Sequence, residues 1–132
     1  MPEGLLYLDA SALVKLVVRE PESDALREAL RLWPEHVSSV VAEVELERVA
    51  RRIGGVATKR ARSVMARVGL VELDDEVRRR AALLRPPELR TIDAIHLGTA
   101  ISLGSDLGAL CVYDRRLAEA AARAGANVLA PE

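Results

Sequence analysis

The sequence predicts an α/β fold, a three-layer α/β/α sandwich in which a parallel sheet of about five strands lies between two layers of helices. Short segments of strand length alternate along the 132 residues with longer segments whose apolar residues recur at helical spacing. Strands that alternate with helices pair in parallel and are covered by helices on both faces. We expect one domain over residues 1–132, because a chain of this length builds a single core.

Five short segments are expected to form the strands, since each is of strand length and turn signals bound it. They are LLYLD at 5–9, HVSS at 36–39, GLVEL at 69–73, GALCVY at 108–113 and NVLA at 127–130. The first segment is apolar up to its final carboxylate, which indicates a strand that is buried on both faces near the centre of the sheet.

Seven segments between these strands carry helical signals, and prolines, glycines or capping residues mark their ends. The segments are 10–20, 21–33, 40–53, 56–68, 74–84, 91–104 and 115–125. Pro21 and Pro34 each end a helix, because proline lacks the backbone N–H that a helix interior needs. Ser38 or Ser39 is expected to cap the third helix, since a serine hydroxyl accepts a bond from one of the first free N–H groups.

Composition indicates a globular chain with an aliphatic core. Half of the residues are apolar, but there is no Phe, one Trp and only two Tyr. Nineteen basic and 20 acidic residues give a net charge of −1. The chain therefore has no global basic signature of nucleic-acid binding, although a local basic rim would be enough for an RNA substrate.

Cys111 is the single cysteine, so an internal disulfide is excluded, and we expect a small buried side chain there instead of a nucleophile. No segment approaches the roughly 20 apolar residues that span a bilayer. The N-terminal string MPEGLLYLD lacks the basic start and the long apolar stretch of a signal peptide. We therefore expect a cytoplasmic protein without a membrane segment.

Three aspartates stand where an apolar run gives way to a helical pattern, and two of them directly follow a strand-like segment. Asp9 ends the first strand, and Asp114 follows the fourth strand. Asp93 lies in the first turn of the helix that begins at Thr91. Each has an ordinary interpretation as a helix cap or as a charge that the helix dipole favours. In an open α/β sheet, however, the carboxyl ends of the strands are where ligands are held. Three converging carboxylates repel unless a cation neutralises them, so together they indicate a site for a hard divalent cation.

A fourth carboxylate is expected from the helix over residues 40–53, which carries Glu43, Glu45 and Glu47. At about 100° per residue, the apolar stripe of this helix leaves Glu47 on the solvated side. Glu43 and Glu45 flank the stripe on opposite sides. Periodicity therefore does not choose between Glu43 and Glu45.

Other catalytic arrangements are excluded or disfavoured. His96 shares a helical face with Asp93, but we expect a packed, hydrogen-bonded histidine there in preference to a metal ligand. The sequence has no G-x-S-x-G elbow and no G-x-x-x-x-G-K-[ST] phosphate loop. A phosphatase of the haloacid-dehalogenase type is disfavoured, because Asp9-Ala10-Ser11 stands where such enzymes have D-x-D.

Four strings follow one another along the sequence: YLDASALVKLVVREPES, SSVVAEVELERVARR, RTIDAIHLGTAISLG and VYDRRLAEAAARAG. They resemble, in this order, the successive motifs of PIN-domain ribonucleases, and more narrowly those of VapC-type toxins of type II toxin–antitoxin pairs. The most specific part of this resemblance is D-A-I-H-L followed by Y-D-R-R-L, and the similarity runs over essentially the whole chain. It implies the PIN fold, a three-layer α/β/α sandwich with a parallel central sheet.

The resemblance also implies the site residues. The acidic positions of the family fall on Asp9, Glu45, Asp93 and Asp114, since the second is usually the Glu of a V-E-L triplet. These four are the implied catalytic and metal-binding residues. Ser11 matches a hydroxyl residue that often supports the first Asp, and Thr91 stands at the matching place before the third. One departure is Val112, which replaces a common Thr or Ser and removes a hydroxyl near the fourth Asp.

By resemblance, the protein is a Mg²⁺- or Mn²⁺-dependent endoribonuclease that hydrolyses RNA and acts as the toxin of a toxin–antitoxin pair. Its implied partners are an RNA substrate, a VapB-like antitoxin, whose C-terminal segment covers or enters the acidic site, and a second copy in a homodimer. DNA is expected only through the antitoxin. The apolar helices over 12–18 and 25–33 offer a partner surface, although burial against the sheet explains most of their apolar residues.

Two other functions stay open at this point. One is a non-catalytic PIN-fold module that acts on DNA through its antitoxin complex, and the other is a housekeeping RNA-processing PIN nuclease. RNA must approach an acidic pocket, so flanking cations are needed for its phosphates. The candidates are Arg51, Arg52, Lys59, Arg60, Arg62, Arg115 and Arg116.

Overall fold

Five parallel strands form the sheet in this computed structural model, which describes residues 2–132. The strands are β1 (Leu5–Leu8), β2 (Glu35–Ser39), β3 (Gly69–Val71), β4 (Leu107–Cys111) and β5 (Val128–Leu129). Their order across the sheet is β3-β2-β1-β4-β5, and every neighbouring pair is parallel. The central strand β1 therefore ends between β2 and β4, and residues that follow these strands meet at one edge.

Seven α-helices connect the strands in the described residues, and the order of elements is the one predicted. They are α1 (Ala10–Val17), α2 (Ser23–Leu30), α3 (Val40–Ile53), α4 (Gly55–Met65), α5 (Asp75–Leu83), α6 (Thr91–Ser102) and α7 (Arg115–Arg123). A short 3₁₀ turn over Gly104–Asp106 leads from α6 into β4. None of the helices in residues 2–132 has the length and apolar character needed to cross a membrane.

The two faces of the sheet bury separate apolar clusters, because successive side chains of a strand point to opposite faces. Leu6 and Leu8 of β1 pack with residues of α1–α4, including Leu13 and Leu46. The intervening Tyr7 packs on the other face, with residues of α6, α7 and β4. Leu6, Tyr7 and Leu8 are at most 1% exposed. The predicted layered fold with a strand buried on both faces is confirmed.

Helix α5 covers α6 from outside, and the two backbones approach closely at Gly98. A Cβ atom at this position would lie 3.0 Å from the backbone nitrogen of Ala81. A side chain there would therefore push apart the two helices, one of which carries Asp93. This packing helps to fix α6 against the sheet.

Three helices end three residues earlier than predicted. Helix α1 ends at Val17 instead of Glu20, and α2 and α4 end at Leu30 and Met65. For α1 the cause is visible, since the Ser23 hydroxyl donates a hydrogen bond of 2.7 Å to the carbonyl of Lys15. That bond satisfies a carbonyl that has no partner at the helix end, so the chain turns earlier than the apolar pattern suggests.

Candidate active site

The first aspartate, Asp9, directly follows β1 and caps α1. Its Oδ1 accepts hydrogen bonds from the Ser11 hydroxyl at 2.6 Å and from the backbone N–H of Ala12 at 3.0 Å. The Ser11 oxygen in turn accepts a bond of 3.0 Å from the backbone N–H of Tyr113. Ser11 thus joins Asp9 to the turn that precedes Asp114. Asp9 is thus the N-cap of α1, and its carboxylate stands at the carboxyl end of β1, where the sequence predicts a site.

Burial makes the charge of Asp9 unfavourable. The residue is 3% exposed, and loss of hydration raises the pKa of its carboxyl from 3.8 to about 6, against the opposing effect of its hydrogen bonds. The neighbouring charge of Asp93 adds to this increase. A cation beside Asp9 would relieve both effects.

The third and fourth acidic positions share one guanidinium. Asp93, in the first turn of α6, is 5% exposed, and its Oδ2 accepts a hydrogen bond of 2.8 Å from Nε of Arg90. Nη2 of the same arginine lies 3.8 Å from Oδ2 of Asp114. Asp114 also caps α7, because its Oδ1 accepts a bond of 2.9 Å from the N–H of Leu117. The structure therefore brings the carboxyl end of β4 and the first turn of α6 together around Arg90.

Of the three glutamates on α3, Glu45 faces this edge of the sheet. Its Oε1 lies 2.7 Å from Nε2 of His96, which is 1% exposed. Glu43 is exposed, and Glu47 forms ion pairs with Arg51 and Arg62. Helical periodicity does not choose between Glu43 and Glu45. The contacts in the structure favour Glu45, which is also the glutamate that the resemblance implies.

His96 is a buried, hydrogen-bonded histidine, as expected. Its Nδ1 lies 2.8 Å from the Tyr7 hydroxyl, so the ring joins Tyr7 to Glu45. Burial raises the pKa of Tyr7 far above its ordinary value, so the phenol keeps its proton. The two ring nitrogens of His96 thus contact a phenol on one side and a carboxylate on the other.

The other predicted residues occupy different surroundings. Thr91 is exposed at the start of α6, and the residue that hydrogen-bonds Asp93 is Arg90 instead of Thr91. Val112 is 1% exposed and packs in the apolar cluster around α6 and α7. Cys111 is also 1% exposed, and burial raises the pKa of its thiol to about 12, as expected for a packing residue.

The donor atoms of the site suit a hard divalent cation, because they are carboxylate oxygens. Within residues 2–132, however, no three Asp, Glu, His or Cys side chains form a ready set of ligands around one metal position. The hydrogen bonds explain this: Ser11 holds Asp9, His96 holds Glu45 and Arg90 holds Asp93. The residues thus fit a hard cation by the chemistry of their donor atoms.

Two residues of this edge, Tyr7 and Arg90, are not among those that the sequence motifs indicate. Tyr7 lies in an apolar strand and gives no signal of a polar role. Arg90 does give one, because it precedes the first turn of α6, where the helix dipole disfavours a positive charge. A cation at that position indicates that an anionic group lies nearby, and Asp93 follows three residues later.

Comparison with known proteins agrees with these observations. The model of the PIN domain family matches residues 6–123. Ribonuclease VapC46 of Mycobacterium tuberculosis is 51% identical over 126 residues, which cover 96% of this chain and 97% of that protein. Ribonuclease VapC35 of the same species is 44% identical over 131 residues, again with 96% and 97% coverage.

A solved structure shares the fold at much lower identity. It is a chain of a toxin–antitoxin complex from Klebsiella pneumoniae, with a TM-score of 0.74 and 22% sequence identity, and the match covers 96% of this chain and 98% of that one. The sequence and structure comparisons thus agree over nearly the whole length. The chain belongs to the PIN-domain family and, within that family, to the VapC group.

Proposed function

We propose that this protein is a divalent-metal-dependent endoribonuclease that acts as the toxin of a toxin–antitoxin pair. The observation that carries the proposal is the burial of Asp9 and Asp93 beside each other at the carboxyl edge of the sheet, 3% and 5% exposed. The Asp9 carboxylate is held there against a desolvation penalty and beside a second negative charge, which is typical of a functional site. The ribonuclease names of relatives at 51% and 44% identity support RNA as the substrate.

Asp9 and Asp93 are the proposed principal metal ligands, and Glu45 and Asp114 complete the set directly or through water. When bound, Mg²⁺ or Mn²⁺ supplies an activated water and stabilises charge on the scissile phosphate. Both ions take oxygen ligands, and Mg²⁺ keeps several waters with few carboxylates, which suits an edge open to solvent. The side chain of Asp114 is 36% exposed and that of Glu45 is 28% exposed.

The protein's own residues orient this site. Ser11 fixes the Asp9 carboxylate, and the Tyr7–His96 pair fixes Glu45. Arg115 and Arg116 are exposed next to Asp114 and are the proposed contacts to RNA phosphates. Among the other basic candidates, Arg51 and Arg62 pair with Glu47, and Arg60 donates to the carbonyl of Val17. Those three have structural partners already.

Cleavage of a labelled RNA pool tests the proposal, with Mg²⁺, with Mn²⁺ and with EDTA, beside Asp93→Asn. The wild type should cut only with metal, and the variant should not cut. Asp24→Asn is the matched control, since Asp24 is exposed and pairs with Arg19 away from the site. Full activity of Asp93→Asn would show that the site is placed wrongly, and cleavage in EDTA would exclude the metal-dependent mechanism.

The binding-module alternative is not favoured, because the relatives at high identity are ribonucleases. An antitoxin partner is supported by the fold shared with the chain of a toxin–antitoxin complex. We propose a VapB-like protein whose C-terminal segment covers the acidic site in the cytoplasm, and which alone contacts DNA. Inhibition of RNA cleavage by a small DNA-binding protein from the adjacent reading frame tests this pairing, and unchanged cleavage by a stable complex would contradict it.

We also propose a homodimer. In the segments 12–18 and 25–33, expected from sequence to offer a partner surface, Leu13, Val17 and Leu26 are at most 3% exposed and pack in the core, whereas Leu32 is 54% exposed. Ile53 and Val56, at the junction of α3 and α4, are 56% and 75% exposed and are the proposed contact between copies. Sedimentation of wild type and Val56→Glu tests this: a dimer that the variant dissociates supports the surface, and a wild-type monomer excludes the homodimer.

A further inference from the structure

One arginine occupies the position between two carboxylates of the site. Nε of Arg90 donates to Asp93 at 2.8 Å, and Nη2 lies 3.8 Å from Asp114. The pair with Asp93 is asymmetric, because the side chain of Asp93 is 7% exposed whereas that of Arg90 is 64% exposed. The carboxylate is therefore fixed in the protein, and the guanidinium reaches it from the solvent side.

We propose that Arg90 is a tethered counter-ion that competes with the divalent cation for Asp93 and Asp114 and leaves both when the cation binds. This inference rests on the proposed function, because it assumes that these two carboxylates bind metal. It adds a residue that the family resemblance did not implicate. The consequence is that the fraction of metal-loaded protein depends on how readily Arg90 is displaced.

Charge and geometry support the competition. Arg90 places a positive charge at hydrogen-bond distance from Asp93, and this bond raises the pKa of the guanidinium. A carboxylate oxygen that accepts this bond has one lone pair fewer for a cation, and the positive charge of the guanidinium repels an incoming ion.

The position of Arg90 also permits its departure. Most of the Arg90 side chain is in solvent, so water can hydrate the guanidinium when it leaves Asp93. A buried arginine would instead be left as an unpaired charge inside the protein, at a high cost in free energy. The residue precedes α6, where the helix dipole repels a cation. Once a metal ion neutralises Asp93, little holds Arg90 in place.

Calorimetric titration of Mn²⁺ into the full chain, without RNA, tests the proposal in wild type, Arg90→Gln and Arg90→Lys. Arg90→Gln removes the competing charge and should bind Mn²⁺ about tenfold more tightly, the change expected for loss of one charge-assisted bond. Arg90→Lys keeps the charge without the planar fork and should fall between the two. Without metal, Arg90→Gln should also have the lower melting temperature, because Asp93 loses its partner.

Two controls separate the possible failures. Arg80→Gln removes an exposed arginine that pairs with Glu76, and it should leave Mn²⁺ affinity unchanged. Asp93→Asn should lose Mn²⁺ binding, and if wild type itself binds no Mn²⁺ the proposed function fails. If wild type binds Mn²⁺ and Arg90→Gln binds it equally well or more weakly, Arg90 is a structural or assisting residue. The proposal for Arg90 is then wrong while the nuclease proposal stands.

Discussion

The Tyr7 hydroxyl lies 2.8 Å from Nδ1 of His96, and Nε2 of the same ring lies 2.7 Å from Glu45. This chain of contacts crosses from the central strand through α6 to α3. Tyr7 and His96 are at most 1% exposed, whereas the Glu45 side chain is 28% exposed. A buried pair thus fixes the orientation of a carboxylate that faces solvent, in the way that groups behind a metal ligand commonly do.

Tyr7→Phe should therefore affect both stability and metal binding. The variant leaves Nδ1 of His96 without its hydrogen-bond partner in the core, which should lower the free energy of unfolding by about 1–3 kcal/mol. It also removes a contact that orients the ring toward Glu45, so Mn²⁺ affinity should fall by about tenfold or more. Urea unfolding and calorimetry measure the two effects. Tyr113→Phe is the matched control, because its hydroxyl binds the carbonyl of Pro131, and it should not change Mn²⁺ affinity.

Asp9→Asn should make the metal-free protein more stable near neutral pH, by up to about 3 kcal/mol. Because the pKa of Asp9 rises from 3.8 to about 6 on folding, the folded protein holds a proton that the unfolded chain releases between these values. The wild type loses stability as the pH rises through this window, whereas the asparagine has no proton to lose. Its Oδ1 can still accept the bonds from Ser11 and Ala12.

Urea unfolding in EDTA, at pH values from about 4 to about 8, measures this effect. The difference in unfolding free energy between Asp9→Asn and wild type should grow up to about pH 6 and then stay level. A difference that is constant across this range would contradict the raised pKa. Added Mg²⁺ should stabilise the wild type at pH values above that window and should leave the variant almost unchanged.

Substitution of the three glutamates of α3 by glutamine tests the assignment of Glu45. Glu45→Gln should reduce metal-dependent RNA cleavage by at least about tenfold, since it removes a proposed ligand charge. Glu43→Gln and Glu47→Gln should keep cleavage close to wild type, because Glu43 is exposed and Glu47 pairs with arginines. Equal losses in all three variants would mean that the charge of the helix matters more than the position of one carboxylate.

The two hydroxyl residues implied by the resemblance should behave differently. Ser11→Ala removes the bond to Asp9 and leaves the N–H of Tyr113 without a partner, so we expect a loss of about 1–3 kcal/mol in unfolding free energy. Thr91→Ala should change that energy by less than about 0.5 kcal/mol, because Thr91 is exposed. Thermal unfolding of both variants makes the comparison, and a larger effect at Thr91 would contradict the placement of these residues.

The fold was predictable because its signals are local and repeated. Alternation of short strands with helices fixes the layered sheet, and the apolar string before Asp9 identifies the central strand. Helix ends were less predictable, since α1 stops where the Ser23 hydroxyl reaches back to the carbonyl of Lys15. That contact depends on the turn between two helices, which apolar periodicity does not describe.

The candidate site was only partly predictable. The positions of Asp9 and Asp114 follow from parallel strands that end at one edge, and that of Asp93 from the helix whose first turn lies at the same edge. The choice of Glu45 needed the family resemblance, because helical angles leave Glu43 and Glu45 equivalent. The role of Arg90 could be seen only in the three-dimensional contacts. A charge three residues before an aspartate is common on helices and does not reveal that this arginine also reaches Asp114.

The bond between Ser11 and Tyr113 joins residues that are 102 positions apart in the chain. During synthesis the ribosome therefore releases the Asp9 end of the site long before the Asp114 end exists. Central strand β1 must wait for β4 before its second edge is paired, and such distant pairing is slow to form. An incomplete nascent chain thus holds only part of the acidic edge, and a toxic activity would begin only after nearly all of the protein has been made.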